Sequence, residues 1–204
     1  MICARFRRFR GFTLVELAVV LTIIALILGV VLTQTGLLNT GNAIHVTGIV
    51  QDLVKTTGEF RNRYKFMPGD FPAAASDLPG VTCAGDGNGA VDLASATTPP
   101  IDETACAPDH LYRANLIRAA ALTTKYGPVR IVSRASGLVA GHPDSVRNVI
   151  ELCIIPQDVA AEVDAKIDDA NLAAGSVLWT ASVAAPWCTG GATNTVSLMS
   201  VALR

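Results

Sequence analysis

The chain has 204 residues, 50% of them hydrophobic and 5% aromatic, with a formal net charge of −1. That length holds one domain and an appended element but not two large domains. The near-neutral balance gives no electrostatic reason to expect nucleic acid as the main partner. Positive charge gathers at the start, in Arg5, Arg7, Arg8 and Arg10, and a product lacking the first 11 residues would carry a formal charge of −5. Of the five cysteines, Cys3 lies in this basic leader and Cys83, Cys106, Cys153 and Cys188 do not. An even set behind an export signal points to two disulfides made in an oxidising compartment, and no CxxC spacing favours zinc or thiol redox chemistry.

The first predicted element is apolar. From Leu17 to Leu32 there is no charge, and Thr22 and Gly29 are the breaks in the apolar run. Counted from Phe12 the run has 21 residues, enough to cross a bilayer core as a helix. It is longer than the apolar region of a secretory signal peptide, and no A-x-A cleavage site follows it. The preceding arginines would keep the N-terminus in the cytoplasm. Glu16 is the anomaly, because a carboxylate in a membrane helix costs a few kcal/mol or more unless a cation sits at its depth. A cut between Gly11 and Phe12 would supply such a cation. The new α-amino group of Phe12 lies one helical turn from Glu16, or beside the Glu16 of a neighbouring parallel helix offset along its axis. The charge then selects one stagger of an apolar bundle.

The stretch RGFTLVELAVVLTIIALILGV resembles the class III signal of type IV prepilins and type II secretion pseudopilins. The match covers the basic leader, Gly11 at the cleavage position, Phe12 as first mature residue and Glu16 as the fifth. The resemblance implies that a membrane aspartyl peptidase, the prepilin peptidase, cuts after Gly11 and N-methylates Phe12. It implies that Glu16 neutralises a neighbouring subunit's N-terminus during assembly. Self and other pilins, an assembly ATPase and an inner-membrane platform protein are the implied partners. The implied location is the inner membrane before assembly, as a single pass with a cytoplasmic N-terminus, and an extracellular pilus or periplasmic pseudopilus afterwards.

Beyond the apolar run the chain stays uncharged through Gln51 except for His45, then becomes amphipathic. Val46, Ile49, Val50, Leu53, Val54, Phe60 and Tyr64 recur at helical spacing, with Asp52, Lys55, Glu59, Arg61 and Arg63 mostly on the other faces. A helix from about Phe12 to Tyr64 would be about 80 Å long. Gly36 and Gly41 mark its weakest place, at about 1 kcal/mol each. Pilins of the family often carry a proline near the end of the anchor; here the matching region has Thr33. Pro68-Gly69 and Phe71-Pro72 end the helix in a turn, and this PGDFP phrase resembles the helix-end segment of a subgroup of minor pilins and pseudopilin-like proteins.

Residues 79–108 are rich in Gly, Pro, Ala, Thr and Asp and read as an exposed loop, with Cys83 and Cys106 as natural partners closing it. Asp86, Asn88 and Asp92 fall at positions one, three and seven of a calcium-loop pattern, without the acidic fifth position or terminal glutamate of an EF-hand. A glycine turn with solvated polar residues is the simpler reading, so no cofactor is expected. Asp109 is a candidate N-cap for a short helix carrying Leu111, Ile117 and Leu122, with His110 in its first turn as a structural residue. GPVRIVSRASG and SVRNVIELCII read as strands. A second short helix begins near Pro156 and stacks Val159, Val163 and Ile167, leaving Asp164, Asp168 and Asp169 on or near a polar side that reads as solvated. GSVLWTASV and TNTVSLMSVAL are the last strands, with Trp179 and Leu198 inward. Cys188 lies between them and meets Cys153 if the strands are adjacent; four cysteines allow three pairings.

The expected architecture is α+β, with a long N-terminal helix packed on a C-terminal antiparallel sheet. Its expected parts are a cleaved leader 1–11, a membrane and assembly helix 12–35, an amphipathic half 36–68, and a head 69–204 carrying the Cys-bracketed loop 83–106. His45, His110 and His142 share no metal spacing, the serines lack a GxSxG setting, and no phosphate loop occurs, so no enzyme is expected. The leading reading is a type IV pilus subunit, major or minor. The alternatives are a type II secretion pseudopilin and an anchored periplasmic binding module.

Overall fold

The computed structural model describes residues 12–189 and 195–203, apart from the side chains of residues 30–38. By its internal contacts the chain divides into two compact units, Met1–Asn39 and Thr40–Arg204. One helix, α1, spans Leu14–Tyr64. It opens with the Thr13 hydroxyl accepting the Glu16 backbone N–H at 3.2 Å, which satisfies one of the orphan donors of the first turn. Helical backbone continues unbroken through Gly36 and Gly41, the place the sequence marks as weakest.

In the first unit every described residue from Phe12 to Gly29 is exposed. Among the described residues no helix is long and apolar enough to cross a membrane. The span expected at 12–35 runs on into residues whose side chains lie outside the described set.

In the second unit, α1 supplies one wall of the core through Ala43, Val46, Val50, Leu53 and Phe60. The expected apolar face is displaced slightly: Val54 is exposed, while Thr47 and Thr57 are buried in its place. The helix ends where Lys65 takes φ 68° and Gly69 takes φ 97°. Only glycine suits that second position, because any side chain there would run into the Glu103 carbonyl. A one-turn helix not anticipated from sequence, α2 (Ala74–Asp77), follows.

Helix α3 runs from Glu103 to Arg113, beginning seven residues before the expected start. Asp102, not Asp109, is its N-cap and accepts the Thr104 and Ala105 N–H groups. Asp109 instead pairs with Arg113 at 3.2 Å, and His110 lies in the last turn. Pro108 lies inside α3, which also carries the buried Cys106, Ala107 and Leu111. The segment read as an exposed loop is thus partly core, since Val81, Val91, Glu103 and Cys106 are all buried.

Four strands complete the head: β1 (Val129–Ser133), β2 (Asn148–Cys153), β3 (Val177–Ala184) and β4 (Thr195–Leu203), with α4 (Gln157–Ile167) between β2 and β3. They form one sheet in the order β1-β2-β4-β3, and every neighbouring pair is antiparallel. Both faces of the central strands are buried. Ile131, Ile150, Leu152, Met199 and Val201 meet the core built on α1 and α4. Leu198 points the other way, into a smaller cluster with Val139, Cys153, Leu178 and Ala185. Trp179 packs half-buried on the main core, so the two residues expected to point inward lie on opposite faces. Strand β3 changes register between Thr180 and Val183, with Ser182 at φ 60°.

Two disulfides staple this unit, Cys83–Cys106 and Cys153–Cys188, with Cα separations of 6.1 and 5.7 Å. The second face of the sheet also holds an ion pair. Glu151, fully buried, accepts from Arg130 Nε at 2.9 Å and Nη2 at 2.7 Å. Its other oxygen accepts the N–H groups of Leu138 and Val139, and the Trp187 ring covers the guanidinium at 4.3 Å. Replacing Glu151 by Ala should cost roughly 3–5 kcal/mol by leaving Arg130 buried without its partner. The double change Arg130→Met, Glu151→Leu should recover most of that loss. Chemical denaturation tests this; a single-variant loss below about 0.5 kcal/mol would show that water reaches the pair.

Candidate functional site

Two places carry the residues singled out from sequence, one at the start of α1 and one in the head. At the first, Gly11 and the leader arginines lie outside the described residues. Phe12 and Glu16 are both described and exposed. Glu16 occupies the first turn of α1, where the helix dipole favours a negative charge. Its backbone N–H is capped by Thr13, which fixes the turn and leaves the carboxylate on the surface. Among the described residues of this first unit, Glu16 stands on a helix whose exposed side chains are otherwise mostly apolar.

The second place is the acidic loop of the head. Asp86, Asn88 and Asp92 do converge: Asn88 Nδ2 donates to Asp86 at 3.1 Å and to Asp92 at 3.4 Å. The tighter carboxylate grouping, however, is Asp70, Asp86 and Glu103, which each bring an oxygen within 4.8 Å of the others. Asp70 comes from the PGDFP turn and Glu103 from the first turn of α3, and both are fully buried. Sequence reasoning missed them because they stand 16 residues before and 17 after Asp86. The signal that was present is Asp70 itself, a carboxylate set inside an otherwise apolar, turn-forming phrase.

All six oxygens of this trio accept hydrogen bonds from the loop. Asp70 takes the N–H groups of Asn88 at 3.0 Å and Gly89 at 2.7 Å. Glu103 takes those of Asp86 and Asp92, each at 2.9 Å. Asp86 takes the Asn88 N–H at 3.0 Å and the Ala96 N–H at 2.8 Å. Asn88 turns its own carbonyl back to the Ala90 N–H at 2.6 Å. A glycine-rich segment with few side chains of its own is thus ordered by buried carboxylates that stand in for a β-ladder. Desolvation, with the charge of Glu103, raises the Asp70 carboxyl to about 7 despite the N–H bonds. Burial likewise raises Glu103, while the Ala96 N–H leads the groups that hold Asp86 low.

Beside this trio sits His110, fully buried. Its Nδ1 accepts the Gly69 N–H at 3.0 Å, which leaves Nε2 to donate to the Cys83 carbonyl at 3.1 Å. Desolvation pushes the imidazole below its ordinary value, so it is neutral. It joins the helix-end turn to the first disulfide and has a structural role. His45 is exposed on α1, and His142, buried, shares a hydrogen bond with Ser200 at 2.9 Å.

These shifts have opposite signs. Asp70 holds in the folded state a proton that the unfolded chain releases near 3.8. Its contribution is therefore complete below about pH 4 and is lost as pH rises through about 7. It amounts to roughly 2 kcal/mol after discounting for solvent screening. The contribution of neutral His110 is present above the ordinary imidazole value and is lost as pH falls through its depressed one. Asp70→Asn should flatten the decline in stability between pH 4 and 7, measured by denaturation across that range. An unchanged slope would place the proton on another group.

No curated protein and no solved structure matches the chain. A family model does match: the prokaryotic N-terminal methylation motif, over residues 6–32. Proteins bearing it are processed by a prepilin peptidase, enter the membrane and assemble with other pilins, in structural rather than enzymatic roles. The capped first turn, the exposed Phe12 and the Glu16 carboxylate all fall inside the matched stretch. The chain therefore carries at its N-terminus the class III prepilin signal of type IV pilins and pseudopilins.

Proposed function

We propose that the protein is a structural subunit of a type IV pilus, cleaved after Gly11, N-methylated on Phe12 and built into a filament by parallel packing of its N-terminal helices. The observation that carries this reading is the methylation motif at residues 6–32, with Glu16 in the first turn of α1. An apolar helix half needs apolar surroundings on every side, first lipid and then the same helix in other subunits. Within such a bundle an unpaired carboxylate is costly, so Glu16 reports the stagger at which a neighbour's Phe12 amine reaches it. Before assembly the chain is a single-pass inner-membrane protein with a cytoplasmic N-terminus, since the leader arginines hold that end back. An assembly ATPase and a platform protein complete the partners.

The disulfide-stapled head and its ordered acidic loop lean toward a pilus, and the PGDFP phrase toward a minor rather than a major subunit. A pseudopilin of type II secretion uses the same assembly physics and is the second reading.

Intact mass with N-terminal fragmentation, on sheared surface filaments and separately on membranes, tests the proposal. An N-methylated Phe12 terminus is expected in the filaments. The same terminus confined to the envelope would favour the pseudopilin, and unprocessed Met1 would overturn both. Gly11→Ala should leave the 11-residue leader attached. Glu16→Ala should be processed normally yet drop at least about tenfold in filaments, as expected for a charge pair worth more than about 1.4 kcal/mol; undiminished incorporation would refute its role in register.

A further inference from the structure

Helix α4 ends in a second acidic group, unlike the first. Asp164, Asp168 and Asp169 each bring one carboxylate oxygen within 4.8 Å of the others. Asp168 and Asp169 are exposed, whereas Asp164 was expected on the solvated side and is fully buried. Val159, Ala160 and Val163 bury the same face of α4 and carry it inward. Neither Asp164 oxygen has a hydrogen-bond partner among the described residues. The nearby Asn171 N–H, which donates to Asp169 at 3.0 Å, acts on the Asp164 carboxyl from outside hydrogen-bond geometry. In the loop trio, by contrast, every oxygen is taken up by an N–H group.

An ionised carboxylate buried without a partner is strongly disfavoured, and buried charges are as a rule paired or bound to metal. Its position compounds the problem. The last carbonyls of a helix lack intrahelical partners and form the negative end of its dipole, where acids are unfavourable and cations are stabilised. Lys166 supplies one positive charge in that turn, against three carboxylates.

We propose that Asp164, Asp168 and Asp169 form a calcium site at the C-terminal end of α4. Calcium binds oxygens at about 2.4 Å, and the three carboxylates, with oxygens within 4.8 Å of one another, are close enough for one ion to reach all three. It accepts irregular oxygen sets completed by carbonyls and water, while magnesium demands a near-ideal octahedron. The chain after α4 is already wound around the carboxylates. The Ser176 N–H donates to Asp168, the Asn171 N–H donates to Asp169 at 3.0 Å, and Gly175, at φ 98°, gives Asp168 room against the backbone. The ion would fasten α4 to the segment that enters β3.

The test uses the full-length chain in detergent micelles, stripped with EGTA and titrated with calcium chloride by calorimetry and thermal unfolding. One calcium is expected, with a Kd of roughly 10⁻⁴–10⁻³ M, typical of extracellular modules. At saturating calcium the Tm should rise by a few degrees. Asp169→Asn, on the exposed rim, should weaken binding at least about tenfold with the fold intact. Asp164→Asn should keep or raise the calcium-free Tm and abolish the calcium-induced rise. Two results would overturn the proposal. One is no calcium response up to about 10 mM together with a raised Tm for Asp164→Asn, which makes Asp164 a buried neutral acid. The other is binding that survives Asp169→Asn but is lost with Asp86→Asn, which places the ion in the other loop.

Discussion

Two hydrogen bonds from one neutral imidazole set the geometry on which the head depends. His110 accepts from Gly69 where the chain leaves α1 and donates to the carbonyl of Cys83 beside the first disulfide. Phe60 stacks on the imidazole with centroids 6.1 Å apart, and Phe71 meets it edge-on at 6.5 Å. A protonated ring would have no lone pair for Gly69 and a buried charge to accommodate. The turn, the staple and the start of the glycine-rich loop are thus held by a group that must stay uncharged.

Around that imidazole the chain solves one problem repeatedly, namely how to order backbone that belongs to neither helix nor sheet. The segment from Gly85 to Asp92 carries few side chains able to pack, so buried carboxylates from elsewhere gather its N–H groups. On the far side of the sheet Glu151 does the same for Leu138 and Val139 while pairing with Arg130. Each arrangement places a charge or a proton where water is scarce. The head therefore has a preferred pH window, with the acid and the imidazole limiting it from opposite sides.

Much of this was legible in the sequence, for reasons that differ by segment. An unbroken apolar run marked the first half of α1 and helical spacing from Val46 to Tyr64 the second, while β-branched runs marked strands. The processing signal was legible because its residues are contiguous. Asp70 and Glu103 were not, since their meeting depends on a turn and a capped helix far apart in the chain. The start of α3 was misplaced because the cap that decides the matter, Asp102, sits within a stretch that reads as loop. Asp164 was read as solvated because a polar residue between apolar neighbours gives no hint of which face it shares. Burial on the second face of the sheet was equally hidden, as the segments that cover Leu198 and Val149 are irregular.

The irregularity in β3 bears on how such heads tolerate crowding. This strand is an edge of the sheet, and a regular edge offers an unpaired row of donors and acceptors to any passing strand. Between Thr180 and Val183 that row is interrupted, and Ser182, in the left-handed region, twists the backbone out of line. Heads held side by side at the high local concentration of a fibre would meet along this edge again and again. A broken template keeps such encounters from growing into a shared sheet, which in the proposed fibre would leave cohesion to the helices.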